Sequence, residues 1–245
     1  MKIAILLPYK EDYSPNLSGA VSIHVSNLYK FSKFKESITI WGNTKSDKYL
    51  SKNYKNISIN KSILSSNNKK YLSKFIDLHK NNEPEIIEIH NRPNYVKEIT
   101  DKLKSKIILY FHNSPLDISG SKSIKERKEL LNKCEYIFFN SNWTKNQFFK
   151  EINEELFISK FGICFQSTKK INVNINAKKN IITFVGKLNS AKGYDIFGKS
   201  IIRILDNFEN WKSIVVGDEP REKLFFKHKN LKVYSFKDNN FVLNL

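Results

Sequence analysis

The stretch Ile86-Ile87-Glu88-Ile89-His90-Asn91-Arg92-Pro93, followed one helix later by Lys106-Ile107-Ile108-Leu109-Tyr110-Phe111-His112-Asn113-Ser114-Pro115, decides the fold. Each half is a short β-branched and aromatic run closed by a His-Asn pair and a nearby proline. Between them, residues 95–103 carry apolar side chains at helical spacing. Strand, helix and strand in that order make two parallel neighbours, because the crossover helix carries the chain back to the same edge of the sheet. The same alternation extends both ways. Strands are predicted at residues 2–7, 38–41, 57–59, 136–139 and 157–161, and helices at 20–34, 69–80, 122–131 and 143–151, with Ser18 or Gly19 and Asn142 placed to cap. The first helix is expected to carry Ile23, Leu28 and Phe31. The fold class that follows is α/β, a doubly wound parallel sheet of Rossmann-like type.

This first domain spans residues 1–163. Residues 164–179 are polar, rich in Lys and Asn and without periodicity, as a linker between domains is. A second unit, residues 180–245, repeats the pattern with strands at 180–185, 212–217 and 231–236 and helices at 194–208 and 220–228. That is fewer strands than the five or six (roughly) of a nucleotide-binding α/β domain, so the second domain reads as incomplete.

Composition narrows the function classes. A chain of 245 residues with 40% hydrophobic and 13% aromatic content builds a packed core. The opening apolar run is too short for a signal sequence, and no stretch approaches the roughly 20 apolar residues of a membrane-spanning helix. Cys134 and Cys164 form no CxxC, which fits a reducing cytoplasm. The net charge of +18 is spread along the chain without blocks. AT-rich coding produces such a Lys, Asn and Ile bias unaided; the other source left open is loose attraction to acidic lipid headgroups at the inner face of the cytoplasmic membrane. Nucleic acid is excluded as partner, since no zinc ligands, RNP-like run or clustered basic helix accompany the charge. A nicotinamide dehydrogenase is excluded because no Gly-x-Gly-x-x-Gly follows a strand.

Chemistry concentrates at strand ends, the edge where ligands bind in open α/β sheets. Gly19 and Ala20 open the first helix, where free N–H groups and the helix dipole favour an anion. His90 and Arg92 follow one strand, His112 and Asn113 the next, and Asn140 and Ser141 a third, with Trp143 expected to pack at the cleft wall. Imidazole and amide groups there suit sugar hydroxyls, and the guanidinium suits a phosphate or carboxylate. In the second unit, Phe184-Val185-Gly186-Lys187-Leu188 through Lys192-Gly193 runs from strand into a loop with two cations; set on a diphosphate, these offset the charge of a departing nucleotide as a divalent metal does elsewhere.

Taken together, Ser18-Gly19-Ala20, Tyr110-Phe111-His112, Asn140-Ser141-Asn142-Trp143-Thr144 and the Phe184 to Gly193 segment resemble the family-four retaining glycosyltransferases of the GT-B fold. The resemblance implies a nucleotide sugar as donor and a glycan or lipid-linked acceptor of cell-surface polysaccharide synthesis. It also implies that neither metal nor cofactor is needed. Gly19 and Ala20 would give amides to the donor diphosphate, Lys187 and Lys192 would hold its phosphates, and His112 would contact the transferred sugar as the catalytic residue. His90, Arg92, Asn113, Asn140 and Ser141 would line the sugar or acceptor side. The family usually has Arg where Lys187 stands, and its second domain continues into a paired-glutamate segment and a crossing helix that this sequence does not contain. The chain is therefore expected to be C-terminally truncated, either a transferase with weakened donor recognition or the non-catalytic acceptor-binding half of a split enzyme.

Overall fold

A computed structural model describes residues 1–60, 66–166, 174–219 and 222–245. The chain divides into two compact units, Met1–Ser167 and Thr168–Leu245. Of the linker expected at 164–179, residues 167–173 lie outside the described residues.

The first unit is a parallel sheet of seven strands: β1 (Ile3–Leu6), β2 (Ile38–Gly42), β3 (Tyr54–Asn56), β4 (Ile86–His90), β5 (Lys106–Phe111), β6 (Tyr136–Phe139) and β7 (Phe161–Ile163), in the order β3-β2-β1-β4-β5-β6-β7. The strand order reverses at β1, between β2 and β4, and such a switch point opens a crevice at the carboxyl ends of the strands. Its helices are α1 (Ala20–Phe31), α2 (Asn67–His79), α3 (Asn94–Thr100), α4 (Ile124–Lys133) and α5 (Asn142–Phe149). Strand side chains alternate between faces. Ala4, Leu6, Ile87, Ile89, Leu109, Phe111 and Phe139 point to one face and pack beneath α2, α3, α4 and α5. Ile5, Leu7, Ile38 and Ile40 point to the other, beneath Val21, Val25 and Tyr29 of α1. Each such aliphatic side chain contributes roughly 1.5–3 kcal/mol by leaving water.

Local signals place most of these elements, and some differ from expectation. The third strand is Tyr54–Asn56, not 57–59. Tyr54 decides this, for its ring stacks on Tyr13 at 5.0 Å and its hydroxyl donates to Thr44 Oγ1 at 2.8 Å. The seventh strand is Phe161–Ile163, because the Asn153 side chain accepts from the Glu155 N–H and starts a 3-10 turn through Lys160. In α1 the buried face is Val21, Ser22, His24, Val25 and Tyr29, so Ile23 and Phe31 are exposed and Leu28 is only half-buried. Spacing at 21, 25 and 29 outweighs the bulk of those three apolar residues. The cap of α5 is Ser141, whose hydroxyl accepts from the Thr144 N–H at 3.1 Å, and not Asn142.

The second unit, among the described residues, has β8 (Ile181–Val185), α6 (Tyr194–Asn207), β9 (Lys212–Val216), β10 (Leu231–Tyr234) and the short α7 (Asn239–Leu243), with a three-stranded parallel sheet in the order β10-β9-β8. α6 buries Tyr194, Gly198, Ile201 and Leu205 along one stripe. Residues 222–228 form no helix, and of the helix expected at 220–228 the first two residues lie outside the described set. The Phe226 ring instead packs edge-on to Tyr194 at 5.5 Å and fills the gap left by Gly198, where a Cβ would stand 2.2 Å from it. Both cysteines are free thiols. Among the described residues no helix is long and apolar enough to cross a membrane.

Candidate functional site

The ends of β4, β5 and β6 are tied into one surface. Asn91 has a left-handed backbone, φ 54°, which Asn tolerates better than most residues. Its N–H donates to the Tyr110 carbonyl at 2.7 Å, and its Oδ1 accepts from the His112 N–H at 3.3 Å. From the other side the Asn140 Nδ2 donates to the His112 carbonyl at 2.9 Å. His112 is thus held by its own main chain between two asparagines. Arg92 donates from Nη1 to the Asn91 carbonyl at 2.7 Å, and Asn113 is exposed beside the loop. Asn140 Oδ1 takes the Thr144 hydroxyl at 2.6 Å while Ser141 caps α5, so the polar atoms of both already serve the loop. Trp143 is exposed and forms no wall.

The side chains beneath this surface form a chain of hydrogen bonds. Glu88 and His90 are two apart on β4 and share a face. The Glu88 Oε1 lies 2.7 Å from His90 Nε2, and His90 Nδ1 lies 2.8 Å from His112 Nε2. The His90 ring stacks on Tyr110 at 4.7 Å and on His112 at 5.1 Å. From α1, His24 meets His112 edge-on at 5.2 Å. His112 Nδ1 and His24 Nε2 are buried with no hydrogen-bond partner, two polar atoms that a ligand or water is left to satisfy.

Burial sets the protonation of this cluster, since a poorly solvated site disfavours charge. It pushes His90 down to about 3, and with the neighbouring histidines it pushes His112 down to about 2. His24 falls to about 4 by burial and His90, opposed by Glu88. Glu88 rises by burial to about 7, opposed by His24. Near neutral pH the site holds three uncharged imidazoles and one carboxyl close to its midpoint. Among the described residues no group of three or more His, Cys, Asp or Glu is arranged to hold a metal ion.

Gly19 and Ala20 stand one turn before His24 on α1. The tip does hold an anion, but it is the protein's own: Glu11 Oε1 accepts from the Ser22 N–H at 2.9 Å, and a Cβ on Gly19 would stand 2.6 Å from that oxygen. In the second unit, the Asn189 side chain accepts from the Lys192 N–H at 3.1 Å and donates to Glu219 Oε2 at 3.0 Å. Gly193, at φ 75°, turns the chain into α6. The Lys187 and Lys192 side chains are exposed, and among the described residues neither ammonium group has a partner.

The structure therefore brings His90, His112, Asn113, Asn140 and the start of α1 to one sheet edge, while Lys187 and Lys192 share a loop of the other unit. Sequence reasoning missed Glu88, His24 and Glu11. Two of these carried a signal: Glu88 is an acid two residues before His90 in an apolar strand, and His24 lies on the helical stripe of Val21 and Val25. A shallow groove lined by Ile124, Lys125, Lys128, Glu129 and Asn132 follows α4 and contains none of the candidate residues.

No protein-family model matches the sequence, and no curated protein does. Solved structures match along nearly its whole length. The apo form of the lipopolysaccharide outer core galactosyltransferase WaaB is 16% identical with a TM-score of 0.61, covering 99% of this chain and 70% of its own. Anabaena Alr3699/HepE in complex with UDP-glucose is 12% identical with a TM-score of 0.61, covering 97% of this chain and 70% of its own. The UDP-N-acetylglucosamine 2-epimerase of Rickettsia bellii is 10% identical with a TM-score of 0.55, covering 99% of this chain and 71% of its own. Identity at this level speaks to architecture alone, and the architecture it gives this chain is the GT-B fold, one full Rossmann-like sheet followed by a second, three-stranded unit.

Proposed function

We propose that this chain is a nucleotide-sugar glycosyltransferase, retaining and metal-independent in the manner of the family-four enzymes it resembles. The donor is a uridine diphosphate sugar, the ligand class named for two of the structural neighbours, while a third is a galactosyltransferase by name. The acceptor is a glycan or a lipid-linked sugar of cell-surface polysaccharide synthesis. The observation that carries the reading is His112 Nδ1, buried and unpartnered at the carboxyl edge of the sheet on a main chain latched from both sides. A neutral imidazole so fixed is suited to hydrogen-bond a sugar hydroxyl or the charge developing beside it. In the second unit Lys187 and Lys192 carry positive charge suited to donor phosphates; in the first, the N–H groups at Gly19 and Ala20 suit an anion once Glu11 yields the helix tip.

Turnover tests this reading. The full chain is incubated with UDP-glucose, UDP-galactose, UDP-N-acetylglucosamine and GDP-mannose, with and without sugar acceptors. Release of UDP is expected, and His112→Ala should lower it by about 10²-fold, the scale of losing one well-placed hydrogen-bonding group. No nucleotide release from any donor would count against catalysis. Epimerised donor without transfer would assign the reaction of the epimerase neighbour instead.

A second reading, the non-catalytic acceptor-binding half of a split enzyme, is favoured by the second unit: among the described residues β8 and β10 are both edge strands, and Val185, Val233 and Phe225 are exposed. Glycan binding without donor binding is its signature.

The acceptor reading places the enzyme at an anionic membrane. At the end of α1, Phe31 and Phe34 are exposed beside Lys30, Lys33 and Lys35. Apolar rings with ammonium groups suit an acidic interface, each cation contributing about 1 kcal/mol at low salt. Sedimentation with phosphatidylglycerol vesicles should carry the chain down and lose it in high salt. Equal binding to neutral vesicles would contradict this contact.

A further inference from the structure

With both imidazoles neutral, the hydrogen-bond chain Glu88–His90–His112 has two arrangements of its protons, set by whether the Glu88 oxygen facing His90 is bare or carries a proton. A neutral imidazole has one donor nitrogen and one acceptor nitrogen. With Glu88 ionised, its carboxylate can only accept, so His90 carries its proton on Nε2, offers a bare Nδ1, and takes the Nε2–H of His112. His112 Nδ1 is then a lone pair. With Glu88 protonated, its O–H donates to His90 Nε2, His90 donates from Nδ1 to His112 Nε2, and the His112 proton stands on Nδ1. Both links are short, 2.7 Å and 2.8 Å, and His90 is fully buried between them.

We propose that Glu88 is a positioning residue that sets, through His90, whether the free Nδ1 of His112 accepts or donates a hydrogen bond. One proton arriving at His112 Nδ1 completes the change: the His112 Nε2 proton passes to His90 Nδ1, and the His90 Nε2 proton passes to Glu88. Nothing is oxidised or reduced, and neither ring is left as a cation. The proton taken up neutralises a carboxylate two rings away, which a buried site tolerates far better than an imidazolium. His112 thereby borrows the proton affinity of Glu88.

The groups facing Glu88 do not compete for this proton near neutral pH. They are His90 on its own strand, His24 from α1, Tyr110 from β5 and Cys164 just after β7. Burial keeps the histidines uncharged and raises both the phenol and the thiol. The toggle is a property of the chain without substrate. Its use on a sugar hydroxyl rests on the transferase reading above.

The test is nitrogen spectroscopy of the full chain labelled with ¹⁵N-histidine, followed between about pH 5 and 9, around the region where buried carboxyls titrate. Protonated and bare ring nitrogens resonate far apart. His112 Nδ1 is expected to pass from bare to protonated as pH falls, His90 Nδ1 to change in step, and neither ring to show the imidazolium pattern. Glu88→Gln should abolish the pH dependence, and His90→Gln should uncouple His112 from it. A His112 ring that keeps one tautomer throughout, or that becomes imidazolium, overturns the proposal in the wild-type chain alone, whether or not the variants fold. A chain that toggles but binds no nucleotide sugar defeats the transferase reading and leaves this one standing; a chain that binds donor with a static His112 does the reverse.

Discussion

His24, His90 and His112 bring ordinary residues into an environment that withholds their usual charge, and stability records the difference. Each has a folded pKa below the value of about 6.5 it regains on unfolding, so the unfolded chain binds more protons below that pH. Their contribution is full above pH 6.5 and falls as pH drops toward 4 and below. Glu88 runs the other way: its pKa is raised to about 7, so its contribution is full at low pH and falls as pH rises from about 4.5 to 7. Three groups oppose one. Each histidine still neutral in the fold at pH 5 costs about 2 kcal/mol there relative to pH 7, and Glu88 returns about as much. A lower melting temperature at pH 5 than at pH 7 is therefore expected, with a smaller drop in His24→Phe; equal melting at both would contradict the burial of the trio. His112 was legible in the sequence as a polar residue ending a strand. Its partners were not read, because a hydrogen bond from one strand to the next depends on register, and Glu88 owes its meaning to the pairing of His90 with Tyr110 across β4 and β5.

At the scale of elements, β4, β5 and β6 begin and end where their β-branched and aromatic runs do. Central parallel strands are buried on both faces, and the composition of such strands is distinctive. The outer strands β3 and β7 were misplaced by a few residues, since an edge strand is fixed by single contacts such as Tyr54 on Tyr13 and not by a run of apolar residues. In α1 apolar bulk does not mark the buried face: Ile23 and Phe31 are exposed, and the stripe that meets the sheet includes polar Ser22 and His24. α4 has its own anchor in Arg127, buried to 2% exposure, whose guanidinium donates to the Lys122 and Lys150 carbonyls at 2.8 Å each and so ties α4 to the end of α5. Arg127→Met fills the space but leaves both carbonyls short of a donor. A loss of about 2–4 kcal/mol in denaturant unfolding is expected; a variant as stable as the parent would show that water already serves those carbonyls.

For the molecule as a whole, alternation of strand and helix was enough to read the architecture, because a parallel sheet of this kind has few ways to be connected. The seven-stranded order with its reversal at β1 adds what no pattern could show, namely which strand ends become neighbours. The proposed function rests on chemistry placed at those ends and on two exposed lysines in a separate unit. Calorimetric titration of the full chain with UDP and UDP-sugars tests that account most directly, in the parent and in Lys187→Ala with Lys192→Ala. Binding should appear in the parent and weaken by about tenfold or more when both cations are removed, a loss of at least about 1.4 kcal/mol. A parent chain that binds no nucleotide, or a double variant that binds as tightly as the parent, would contradict it.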